Sequence, residues 1–369
     1  MELVNHTRMQ AQQAMGLEPS GREWLVVVVK GTFRMPTAGE ASDRLLLHER
    51  QEPPTMADTY TGAPGLSAPL HEADFALRKP RCDLLLLGTA HAPRGEPAER
   101  VEVGLQVGRW HKRFDVVGER FWECGRAALR ATPPRRFVQR PFGYDTAFGG
   151  SDLRHEDPQQ HAAFEANPIG VGFHRHLRPE WVDGAPMPST EESGQPISTP
   201  AGSYRPMALG PLGRGWSTRR RYAGTYDDAW RDRHFPFLPP DFDERYYQSA
   251  PEDQQVPLGY FDREPVEVVL QNLTPDGWAR FTIPPLAAPV RFVPHGAPPE
   301  DVQAVLDTVV IEPDLLRYTL TWRAARPIAR NMHEIAQVVV GRRGRGRTSL
   351  PDPAAFPVPV VGVATGGST

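Results

Sequence analysis

Lysine is the scarcest charge in this chain of 369 residues: Lys30, Lys79 and Lys112 are the only ones, and arginine carries nearly all the positive charge. A GC-rich coding sequence produces such a bias by itself. Cysteine is almost as rare. Cys82 and Cys124 stand alone, without CxxC spacing or a metal-site pattern around them. A disulfide between the two stays open, but buried free thiols in a reducing compartment are the default for such a pair. Long apolar runs are missing too. WLVVVV (24–29) and LLLL (84–87) fall far short of a bilayer span, so membrane insertion is not expected. The start, MELVNHTRMQAQQAMGL, lacks the basic and apolar succession of a secretory signal, and a cytoplasmic location is the expectation. The net charge of −3 gives no overall basic field toward nucleic acid. No GxSxG, Walker A, HExxH or nucleotide-binding GxGxxG stands in a suitable context.

What is abundant is proline, 40 residues, and glycine, 33. They favour short strands joined by many turns over a helical protein. WLVVVVKGTF (24–33) is continuously apolar and β-branched, which predicts a strand covered on both faces. LLLHER (45–50) and CDLLLLGTAHAP (82–93) read as further strands. VEVGLQVG (101–108) and KRFDVVGERFWE (112–123) form a hairpin turning near Gly108–His111. The pattern returns in PVEVVLQNL (265–273), the turn TPDG (274–277), WARFTIP (278–284), VRFVP (290–294), LDTVVIEPD (306–314) and LRYTLTWRA (316–324); MHEIAQVVVG (332–341) permits a short helix, then a strand. The fold class is therefore mainly β, with antiparallel, sandwich-like sheets around a long ordered irregular region. Four regions follow: an N-terminal β region (1–136), an irregular central region (137–262), a C-terminal β region (263–341) and a flexible tail (342–369), the first three packing as one unit.

The central region shows neither helical nor strand periodicity, yet it is rich in glycine, proline and rings, including Trp181, Trp216, Tyr222, Tyr226, Trp230, Phe235, Phe237, Phe242, Tyr246 and Tyr247. A disordered linker is poor in aromatics, so this stretch reads as ordered chain held by buried rings; ordered irregular stretches this long tend to be functional. Aromatic and arginine residues are also the types enriched at protein interfaces. Arg219, Arg220, Arg221, Tyr222, Trp230, Tyr246 and Tyr247 are the candidate partner-binding residues.

Other chemistries compete. Asp227, Asp228, Asp232, Asp241, Asp243 and Glu244 could supply the acid and base of a glycan-acting enzyme, converging about 5–10 Å apart in a pocket, but aspartates beside prolines more commonly cap turns. Trp216, Tyr222 and Trp230 could instead form the sugar platform of a carbohydrate-binding β-sandwich. His174 and His176 would share a face on a strand and could meet a metal, but Arg175 and Arg178 disfavour a cation there; His71, Glu72 and Asp74 make a weaker case. GRRGRGR (341–347) reads as a solvated basic tail, not interleaved with aromatics as nucleic-acid binders are. No catalytic residue, metal or cofactor is assigned.

Taken together, VVVVKGTF (26–33), DTYTGAPG (58–65), KPRCDLLLLGTAHAPRG (79–95), VGLQVGRWHKRFDVVGER (103–120), YDTAFGG (144–150), NPIGVGF (167–173), GTYDDAW (224–230), FPFLPPDFDERYYQSAPEDQQ (235–255), VVLQNLTPDG (268–277) and LDTVVIEPD (306–314) resemble a bacterial family called domain of unknown function 2169. The pieces are collinear over about residues 22–324, and the ordered set rather than any one piece carries the likeness. The resemblance implies a cytoplasmic adaptor or chaperone of type VI secretion, loading a secreted effector onto the spike through its PAAR tip or VgrG trimer. It brings no catalytic residues with it.

Overall fold

The computed structural model describes residues 1–37, 45–126 and 128–341. The long apolar run after Glu23 becomes strand β3 (Glu23–Arg34), preceded by β1 (Glu2–Asn5) and β2 (Gln10–Leu17). Then come β4 (Arg81–Leu86), the hairpin β5 (Arg100–Val107) and β6 (Trp110–Val117), the short β7 (Thr190–Glu191) and β8 (Gln255–Pro257), and finally β9 (Val266–Gln271), β10 (Trp278–Ile283), β11 (Ala288–Pro294), β12 (Glu300–Glu312), β13 (Arg317–Pro327) and β14 (Ile335–Val340). The protein is mainly β, as its composition predicts. Among the described residues, no helix is long and apolar enough to cross a membrane.

Two sheets hold these strands. The larger runs β1-β14-β11-β12-β13-β3-β2, with β4 joined to β12 and β8 to β4. It curls into a nearly closed barrel, because its two edge strands are consecutive in the chain and the Asn5 side chain bonds the Met9 carbonyl at 2.7 Å. The smaller sheet, β7-β6-β5-β9-β10, is antiparallel throughout. Both sheets mix strands from the two ends of the chain, so neither β region is a sheet by itself. Leu25, Val27 and Val29 of β3 share one core with Val103 and Leu105 of β5 and with Phe281 of β10. Tyr318 of β13 stacks on Phe33 at 5.4 Å and on Phe281 at 4.8 Å, which joins the sheets through aromatic faces.

The second face of β3 is covered as well. Val26 and Val28 pack under Leu77, with Phe75 and Tyr247 beside them. This cover is why the run shows no alternation. Residues 45–50, read as a strand, make only a single bridge, Leu47 to Phe33, flanked by Arg34 N to the Leu46 carbonyl at 2.8 Å and His48 N to the Thr32 carbonyl at 2.9 Å. The Gln51 side chain then takes over, accepting from Thr32 N at 2.9 Å and donating to its carbonyl at 2.7 Å, while Leu45 and Leu47 pack half-buried against the core. The two N-terminal strands, by contrast, carry little apolar signal and were not expected.

The central region is held down at several points. Residues 139–142 pair with 88–91, β7 extends the smaller sheet, and β8 extends the larger one. Its two glycine-rich pieces clasp each other. Asn167, fully buried, donates to the carbonyls of Tyr144 and Phe148, and a Cβ at Gly149, whose φ is 153°, would stand 2.1 Å from the Asn167 carbonyl oxygen. Only glycine fits so close a backbone approach. The basic and Pro/Gly-rich tail, 342–369, lies outside the described residues.

The tightest anchor is Asp83 on β4, with no exposed surface. Its carboxylate accepts from Lys79 Nζ (2.8 Å), Gln248 Nε2 (2.5 Å), Ser249 N (2.8 Å) and Ser249 Oγ (3.0 Å). Asp83→Asn leaves the Lys79 ammonium buried without its counter-charge, and the expected loss is about 3–5 kcal/mol. Urea unfolding should show it as a lower midpoint at unchanged slope; a change under about 0.5 kcal/mol would refute the anchoring role.

Candidate functional site

The candidate binding residues begin in the one-turn helix Ser217–Arg220, which follows the buried Trp216. Helical spacing sends its arginines in different directions. Arg219 turns inward, 2% exposed, and donates to the Leu212 carbonyl (2.9 Å), the Tyr246 carbonyl (2.7 Å) and Glu72. Glu72 is shared with Arg214, which also holds Asp58 at 2.8 Å. Arg220 points to solvent, 3.8 Å from Glu165. Arg221 pairs with Glu252, and Tyr222 donates its hydroxyl to the same carboxylate at 2.5 Å. That bond, with burial as a smaller cause, raises the Tyr222 phenol above its ordinary pKa. The Tyr222 ring lies between the guanidinium groups of Arg221 and Arg245, 4.7 and 4.3 Å from its centroid.

Beside Tyr222 opens a cleft of about 360 Å³, bounded by this helix and the turn Glu252–Gln254. Leu212, Pro206 and Pro251 give it apolar walls, and Arg205, Arg221 and Lys112 line it with charge. Lys112 was not singled out by its sequence context. Its position on β6, facing the turn at 252–254, is set by pairing that local sequence does not display.

Trp230 belongs to a different feature. Residues 225–241 form a loop closed at its base, where Asp241 accepts from Thr225 N (3.0 Å) and Thr225 Oγ1 (2.7 Å) and Asp243 N donates to the Tyr222 carbonyl at 3.0 Å. Inside it, Asp227 caps the helix Asp228–Arg233 by accepting from Trp230 N at 2.8 Å. The Trp230 indole bonds the Phe237 carbonyl at 2.9 Å and meets Tyr226 and Phe235 edge-on, at 4.7 and 5.8 Å. The rings expected to be buried here are not: Tyr226 is 54% exposed, Phe235 66% and Phe237 40%. Each neighbours a proline or lies near the loop base, where no regular element draws it inward. Loops of this compact, self-packed kind are frequently functional.

Tyr246 and Tyr247 face the other way. Half-buried, they ring Phe242 at 5.7 and 5.4 Å, and Tyr247 packs against the cluster on β3. The seven candidates therefore separate: Arg221 and Tyr222 frame the cleft, Arg220 is exposed beside it, Trp230 organises the aromatic loop, and Arg219, Tyr246 and Tyr247 knit the region to the sheets.

The competing constellations are dispersed. Asp227 and Asp241 close and cap the loop, Asp243 caps Arg245 N at 2.9 Å, and Asp228 and Asp232 pair with Arg231 on the surface. Trp216 is buried edge-on against Tyr144 at 5.2 Å, so the proposed sugar platform loses one of its rings. Residues 174–176 are not a strand. His174 meets Arg154, while His176 bonds the Gln160 carbonyl at 3.2 Å. Glu72 and Asp74 serve Arg219 and Lys30, and His71 lies 3.6 Å from Glu312. Among the described residues, no three metal-ligating side chains come together. Cys82 and Cys124 are both free thiols, and burial raises the Cys82 pKa.

Arg219→Ala leaves Glu72 with Arg214 alone and takes their buried donor from the Leu212 and Tyr246 carbonyls, and a loss of about 1–3 kcal/mol is expected. Arg220→Ala on the same turn should shift stability by less than about 0.5 kcal/mol. Chemical denaturation of the two variants checks the division, and equal effects would contradict it.

No curated protein and no solved structure matches this chain. A family model does, over residues 20–323, most of the sequence. The chain belongs to the family described as uncharacterized protein conserved in bacteria, DUF2169.

Proposed function

We propose that this protein is a non-enzymatic adaptor or chaperone that grips a partner polypeptide, a secreted effector or a PAAR or VgrG spike component of type VI secretion. The observation that carries the reading is the aromatic loop 225–241. Its base is fixed by Thr225 and Asp241, while Tyr226, Phe235 and Phe237 are presented to solvent. Rings held outward on a closed scaffold bury apolar area on a partner at little further entropic cost. The adjoining cleft, framed by Arg221 and Tyr222, offers a second point of purchase. The secretion role that the resemblance to DUF2169 implies supports the choice of partner, and the structural use of Asp227, Asp241 and Asp243 supports leaving catalysis out.

The test is co-purification with the products of the neighbouring effector and spike genes. A Phe235→Ala/Tyr226→Ala variant leaves the loop base intact and should weaken capture by about thirtyfold or more, the scale of a true hot spot at about 2 kcal/mol. Arg221→Ala should weaken it less. Undiminished capture by the double variant would remove the loop from the interface, and a wild-type protein that captures neither product would overturn the adaptor reading. A glycan-cleaving activity abolished by Asp227→Asn or Asp241→Asn would establish the rival enzyme.

A further inference from the structure

Two of the three lysines are buried, and the third, Lys112, is half-buried in a different setting. Lys30 lies 2.9 Å from Asp74 and 3.1 Å from Thr55, and Lys79 lies 2.8 Å from Asp83 and 3.0 Å from Thr308. Both border a void of about 20 Å³, room for a single water. Lys112 instead lines the cleft of about 360 Å³, with 9% of its side chain exposed. Its ammonium is held at longer range, 3.1 Å from Gln254 Oε1 and 3.3 Å from Asp253 Oδ2. Asp253 is itself 39% exposed and is shared with Arg205 at 2.7 Å. Water and a second cation thus dilute the counter-charge that fixes the other two lysines.

We propose that Lys112 is a carbonyl-reactive amine, and that the cleft admits a small anionic aldehyde or 2-oxo acid with which it forms a reversible Schiff base. Three features of the cleft meet the needs of that chemistry. A nucleophilic lysine must be desolvated and neutral part of the time, and burial lowers the pKa of Lys112 against the opposing pull of Asp253. The ligand's anionic group needs donors, and Arg205, Arg221 and Arg245 line the cleft, each bonded to a carboxylate and each carrying further N–H groups. A proton carrier must sit beside the amine, and Asp253 does. In the step itself, the neutral Nζ attacks the carbonyl carbon and a carbon–nitrogen bond forms. The carbonyl π electrons pass to oxygen. Asp253 carries one proton from nitrogen to that oxygen and then the second to the hydroxyl as its carbon–oxygen bond breaks. One water leaves, an imine remains, and nothing is oxidised or reduced. The inference does not rest on the polypeptide-binding reading, although both use the cleft: capture is read chiefly at the aromatic loop, and amine reactivity at Lys112.

The experiment uses the full chain with pyridoxal 5′-phosphate, which carries both an aldehyde and an anion. Borohydride trapping and peptide mapping by mass spectrometry then locate the adducts. Lys112 should be labelled at least roughly tenfold faster than Lys30, Lys79 and the N-terminal amine, as expected of a desolvated amine in an open site. Glyoxylate should compete, Lys112→Arg should abolish the fast adduct, and Arg221→Ala should slow the phosphate-bearing probe more than butanal. Labelling confined to the N-terminal amine, or Lys112 reacting no faster than Lys30 and Lys79, overturns the proposal. The mapping on wild-type protein decides the matter even where a variant folds poorly.

Discussion

The irregular central third of this protein depends on one buried carboxylate. Asp83 is placed by the parallel pairing of β4 with β12, so its position is a property of the sheet. Its acceptor sites are filled by Lys79, just before the strand, and by Gln248 and Ser249, at the far end of the central region. A desolvated charge tolerates no other arrangement cheaply, because each missing donor leaves an unmet acceptor in a low-dielectric interior. Gln254 continues the seam by donating to the carbonyls of Leu84 and Leu209. The turn at 252–254, and with it one wall of the cleft, follows from these contacts. Chain without a period of its own thus acquires a fixed shape by borrowing the regularity of β4.

The same region treats its aromatic rings in two opposite ways. Trp216, Tyr144 and Phe148 are buried among short loops and substitute for the apolar faces of missing helices or strands. Tyr226 and Phe235 are left outside, and this is possible because polar groups rather than rings close the loop that carries them. Asp227, Asp241 and Asp243 are structural in this sense. They free the aromatic side chains from any duty in the core.

The strands that alternate or run continuously apolar were legible. VEVGLQV and its partner turn over as a two-residue hairpin at Gly108–Arg109, and the TPDG turn delivers β10 against β9. β3 announced its double burial through six consecutive apolar residues. QAQQAMGL did not announce β2, because an edge strand in register with β3 needs little apolar content of its own. LLLHER misled for the converse reason, since apolar residues also pack against a core from chain that makes only one bridge. The site was legible only in part. The crowding of Arg and Tyr at 219–222 is visible, but that Arg219 points inward depends on Glu72, far away in sequence. Lys112 enters the cleft through contacts with 252–254 that no local pattern encodes.

The larger sheet brings the two ends of the described chain side by side. β1 lies parallel to β14, and β3 runs against β13 for eleven residue pairs. A ribosome delivers the first strands long before the last, so WLVVVV emerges with neither of its faces covered and only β2 to pair with. The barrel can close only after almost the whole chain has been made. Long-range pairing of this kind is slow, and the waiting strand is prone to misassociate.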